Sequence, residues 1–86
     1  VTDDERVART EAWLLQSCRE AGAWISGDGR VGLDTACMLL GWSVQTMQNR
    51  ISMGDAPPRY QIGGRGGRVT FNLRDLSEWV ERQRVY

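Results

Sequence analysis

The sequence predicts a mainly α-helical domain with one small β-hairpin, and three observations carry that prediction. Apolar residues recur at helical spacing in four segments, Val7 to Cys18, Ala36 to Leu40, Val44 to Ile51 and Leu73 to Val80. Two strand-prone stretches, residues 59 to 62 and 68 to 71, flank the turn Gly63-Gly64-Arg65-Gly66-Gly67. At 86 residues with 41% hydrophobic content, the chain has material for one small core and too little to divide it.

The first helix is expected to open at Thr2, with its hydroxyl as cap, Glu5 reaching back, and Asp3, Asp4 and Glu5 at the positive end of the dipole. Val7, Leu14, Leu15 and Cys18 share one face, and Gly22 is the stop signal. Trp24 and Ile25 precede the turn cluster Ser26-Gly27-Asp28-Gly29; with Val31 and Leu33 beyond it, this stretch reads as a loop or a short hairpin. Asp34 is the expected N-cap of a second helix through Leu40, which Gly41 ends. Ser43 then caps a third helix, from Val44 to about Met53. Its Val44, Met47 and Ile51 face inward, leaving Gln45, Thr46, Gln48, Asn49 and Ser52 for solvent or a ligand. Gly54 closes that helix, and Ala56-Pro57-Pro58 enforces an extended exit because neither proline continues a helix. After the hairpin, Asn72 with Asp75 three residues on opens a last helix built on Leu73, Leu76, Trp79 and Val80. Residues 1 to 30 thus form an N-terminal helix and connecting loop, packed on the remainder or dimerising it, and residues 31 to 86 form the principal unit.

The composition argues against catalysis. The chain has no histidine, which removes the commonest general base and the commonest transition-metal ligand. Cys18 and Cys37 show no CxxC spacing and read as small buried residues. Asp3, Asp4, Glu5, Asp75 and Glu78 sit in first turns of helices, where the helix dipole accounts for them. The glycine turn lacks the GxxxxGK[ST] order of a phosphate loop and leads into a strand. No enzyme activity, cofactor, metal or small-molecule substrate is expected. No apolar run approaches the roughly 18 to 20 residues of a membrane span, and no signal-peptide pattern is present, so a cytoplasmic protein without membrane attachment is expected.

The formal charge of zero conceals two unlike halves. Residues 1 to 37 carry four arginines against seven carboxylates, whereas residues 38 to 86 carry seven arginines against four. The basic excess falls where two helices, separated by Gly41-Trp42-Ser43, run on to the hairpin. In a helix-turn-helix the first helix braces the second, which enters the major groove with polar side chains facing base edges. Gln and Asn pair with adenine through two bonds, and Arg serves guanine or phosphate. The candidate DNA contacts are therefore Ser43, Gln45, Thr46, Gln48, Asn49 and Arg50 on the second of these helices, and Arg59, Arg65 and Arg68 on the hairpin.

Leu39-Leu40-Gly41-Trp42-Ser43, Gln45-Thr46-Met47, Gly54-Asp55-Ala56-Pro57-Pro58-Arg59-Tyr60 and Phe71-Asn72-Leu73-Arg74-Asp75-Leu76-Ser77-Glu78-Trp79-Val80 together resemble the compact excisionase and MerR-like winged-helix family, over about residues 31 to 83. The resemblance implies a winged helix-turn-helix with an extra N-terminal helix. In it the hairpin is the wing and the closing Asp-Leu-x-x-Trp helix packs across the core. It further implies that Gln45, Gln48 and Asn49 lie in the major groove, and that Arg65 at the wing tip, with Arg68, approaches phosphate or the minor groove. The five-residue glycine-rich tip and the N-terminal helix depart from the family pattern.

The expected function is sequence-specific binding of double-stranded DNA, as a transcription regulator or an excisionase-like architectural factor. A homodimer or cooperative oligomer is expected, because one small module offers a small footprint. The alternatives are a DNA-recognition domain of a phage packaging or replication protein, and a protein-interaction module that does not bind DNA. Trp42 and Trp79 are expected in the core, and Trp13 and Trp24 are candidates for contact with a partner subunit.

Overall fold

Local signals bound three of the helices in the computed structural model, which describes residues 3 to 62 and 68 to 85. Helix α1 spans Asp3–Glu20, with Asp3, Asp4 and Glu5 in its first turn; Thr2, the expected cap, lies outside the described residues. Its far end closes where the Ala23 N–H donates to the Cys18 carbonyl at 2.9 Å. Helix α3, Val44–Met53, is capped by the Ser43 hydroxyl, which accepts from the Thr46 N–H at 3.1 Å. Helix α4, Leu73–Arg82, starts at Asn72, whose side-chain oxygen accepts from the Arg74 and Asp75 N–H groups at 2.9 and 3.3 Å.

Two expectations need correction. Helix α2, Leu33–Leu40, has Gly32 as its N-cap rather than Asp34, because strand β1, Arg30–Gly32, runs directly into it and the extended backbone at Gly32 is the only break. Asp34 sits instead in the first turn, where its charge still meets the positive helix end. The sheet is also larger than a hairpin. Strands β2, Tyr60–Ile62, and β3, Arg68–Asn72, pair as expected, but β1 joins the other edge of β3 to give the antiparallel order β1-β3-β2. Val31 lies opposite Phe71, and Tyr60 opposite Thr70. A three-residue strand has no visible alternation of its own, and its partner lies some forty residues on.

These elements close on one core. Cys18 from α1, Val31 from β1, Ala36 and Cys37 from α2, Met47 from α3, Phe71 from β3, and Leu73 and Leu76 from α4 are all buried in a single cluster. Burial pushes both free thiols, Cys18 and Cys37, above the ordinary thiol range. Buried polar groups on the periphery are satisfied: the Ser77 hydroxyl donates to the Leu73 carbonyl at 2.7 Å, and Thr70 accepts from the Arg30 guanidinium at 3.1 Å. Helix α1 lies against α4. There the Thr10 hydroxyl donates to Glu81 at 3.3 Å, and Arg74 bridges Glu78 at 3.3 Å and Glu11 at 3.6 Å. The protein is thus mostly helical with a small three-stranded antiparallel sheet, and among the described residues no helix is long and apolar enough to cross a membrane.

Candidate nucleic-acid interface

Helix α3 buries little of itself, and its outer face is built from amides. Met47 is fully buried and Ile51 packs on the core, whereas Gln45, Gln48, Asn49 and Ser52 are exposed. At about 100° per residue those four side chains fall within an arc of about 100°. The Gln45 amide donates to the Asn49 side-chain oxygen at 3.0 Å. Among the described residues the Gln45 oxygen and the Asn49 N–H₂ have no other partner, an acceptor beside a donor group, which is the pattern that matches an adenine edge. Gln48 has no side-chain partner among the described residues. Ser43 and Thr46 are committed to each other, hydroxyl to hydroxyl at 3.0 Å, so they hold the start of the helix.

The expected arginines occupy different settings. Arg50 places its guanidinium carbon over the Trp42 ring, 4.4 Å from its centre, and pairs with Asp55 at 3.0 Å. Arg68 lies 5.0 Å from the centre of the half-exposed Trp24 ring. Arg59 precedes β2, is exposed, and has no partner among the described residues. Arg65 lies outside the described residues. No hydrogen bond or ion pair joins the α3 amides to Arg59 or Arg68 among the described residues; the two sets belong to a helix and to the sheet.

Three features escaped the sequence reading. Trp42 meets Trp79 edge to face at 5.4 Å and 88°, so the turn residue is fixed to α4. Arg30 is held in place by Asp28 at 2.9 Å and by Thr70, so it is a structural cation of the sheet. Asp55 follows the left-handed Gly54 and donates its N–H to the Arg50 carbonyl at 2.9 Å, which brings its carboxylate to the Arg50 side chain. An acidic residue directly after a glycine C-cap, five residues beyond an arginine, was the available signal.

Charge follows the same division. Residues 35 to 74 contain five arginines and a single carboxylate, Asp55, which Arg50 neutralises. Carboxylates gather on α1 and α4 instead, at Asp3, Asp4, Glu5, Glu11, Glu78 and Glu81. No family model, curated protein or solved structure matches this chain. The chemistry of the surface is then the guide to its use: exposed amides and cations suit anionic, hydrogen-bonding partners. Among the described residues no group of three metal-ligating side chains gathers.

Proposed function

We propose that the chain is a cytoplasmic winged helix-turn-helix domain that binds double-stranded DNA sequence-specifically, as a transcription regulator or an architectural factor. The observation that carries this reading is the exposed amide stripe of α3 within forty residues whose only carboxylate is already paired. The order α1-β1-α2-α3-β2-β3 with sheet order β1-β3-β2 supports the winged assignment: α2 braces α3 across Gly41-Trp42-Ser43, and β2 and β3 form the wing. Gln45, Gln48 and Asn49 read base edges, while Arg59, Arg65 and Arg68 hold phosphate and fix register. One such helix covers a half-site, so recognition of a full site uses two copies or a cooperative array.

The test is a division of labour between two variants. Gln48→Ala is expected to relax preference at one or two base pairs by about 1 to 3 kcal/mol, with the salt dependence unchanged. Arg59→Ala is expected to weaken binding to every duplex and to reduce the salt slope by about 0.9. Equal losses from both variants on all sequences contradict the assignment.

A further inference from the structure

We propose that Arg50 is a positioning residue, clamped between Trp42 and Asp55 so that α3 presents its amide stripe at the angle base discrimination requires. This rests on the DNA-binding reading above. Around the α3 axis, Arg50 lies about 140° to 160° from Gln45, Gln48 and Ser52 and about 100° from Asn49, so it points away from the surface those residues share. Its neighbours on that side are Met47, which is fully buried, and Ile51, which packs on the core.

The clamp engages the guanidinium on two sides. The Arg50 Cζ lies over the Trp42 ring, 4.4 Å from its centre, and a terminal nitrogen donates to the Asp55 carboxylate at 3.0 Å. Asp55 is itself placed by the backbone, through its N–H bond to the Arg50 carbonyl and the left-handed Gly54 before it. Trp42 in turn abuts Trp79 edge to face. A continuous line of contacts therefore runs from the end of α3 through Trp42 to α4, the helix that carries Leu73 and Leu76 into the core. The Asp55 carboxylate already offsets the Arg50 charge at 3.0 Å, whereas Arg59 is exposed and has no partner among the described residues. The planar fork and the flat ring demand arginine here; lysine offers a point charge that cannot stack and pair together.

Asp55→Asn separates positioning from contact, because it weakens the clamp while leaving every cation in place. The full chain and its Asp55→Asn, Arg50→Ala and Arg50→Lys variants are titrated by anisotropy against two duplexes, one selected from a random pool and one scrambled. Near-ultraviolet circular dichroism, taken on the same chains carrying Trp13→Phe and Trp24→Phe, records the Trp42–Trp79 pair. The expected result for Asp55→Asn and Arg50→Ala is a fall of about 5- to 20-fold in the selected-to-scrambled affinity ratio, comparable with losing one base-pair contact. An unaltered salt slope and a changed tryptophan band accompany it, and Arg50→Lys recovers only part. Should Arg50→Ala unfold, Asp55→Asn alone decides. An unchanged ratio in Asp55→Asn shows that the clamp does not set discrimination, and a salt slope lowered by about 0.9 in Arg50→Ala makes Arg50 a phosphate contact; either result overturns the proposal. An unchanged tryptophan band in Asp55→Asn contradicts the clamp itself. A wild-type chain that binds neither duplex overturns the DNA reading and this role together, while the tryptophan band still reports whether the clamp exists.

Discussion

Asp28 shows how a single side chain organises the sheet edge. Its carboxylate accepts from the Ser26 hydroxyl and the Arg30 guanidinium, and these two bonds hold it below the ordinary carboxylate range. A depressed folded-state pKa contributes stability above the unfolded value, about 3.9, and that contribution is lost as pH falls toward the lowered folded value. Asp28→Asn is therefore expected to lower the urea midpoint at pH 7 slightly and to flatten the decline in stability below about pH 4. The effect is small because the Asp28 side chain is 65% exposed. Denaturation midpoints collected between pH 2 and 7 check it, and an acid limb identical to that of the wild type contradicts it. The turn around Asp28 was legible in Ser26-Gly27-Asp28-Gly29, but the bond from Arg30 to Thr70 was not, since it depends on a pairing forty residues away.

At the scale of elements, signals confined to a few residues proved legible. Ser43 and Asn72 cap their helices, and Gly41 and Gly54 end theirs at φ of 73°. Gly41→Ala should cost about 1 to 2 kcal/mol from the left-handed backbone alone, since nothing lies within 4 Å of the added carbon. Gly27→Ala, equally open and without a positive φ, is the control and should change stability by less than about 0.5 kcal/mol. Urea unfolding of both variants makes the comparison, and equal effects would show that backbone strain is not the cause. Elements defined by distant partners were harder to read: β1 exists because β3 accepts it, and its arrival at Gly32 is what displaces the α2 cap from Asp34. The amide stripe of α3 was visible as periodicity. Arg50 was expected on the same surface, because its charge was counted along the chain; counted around the helix axis, it falls on the opposite side.

Over the whole molecule, the sequence shows the charge division and the structure gives it a setting. Helix α1 uses Val7, Leu14, Leu15 and Cys18 inside the protein and lies on α4, so the most acidic helix is joined to the last one rather than to α3. Trp13 is left 64% exposed on α1 and Trp24 half-exposed beside Arg68. The central claim is that the exposed amides of α3, with Arg59, Arg65 and Arg68, bind duplex DNA. Fluorescence anisotropy of the wild-type chain with a mixed-sequence duplex, at 50 and 200 mM salt, tests it most directly. Three phosphate contacts, from Arg59, Arg65 and Arg68, predict a salt slope of about −2.7 and an affinity loss of roughly forty-fold between the two conditions. Absence of binding at micromolar protein, or binding indifferent to salt, contradicts the claim.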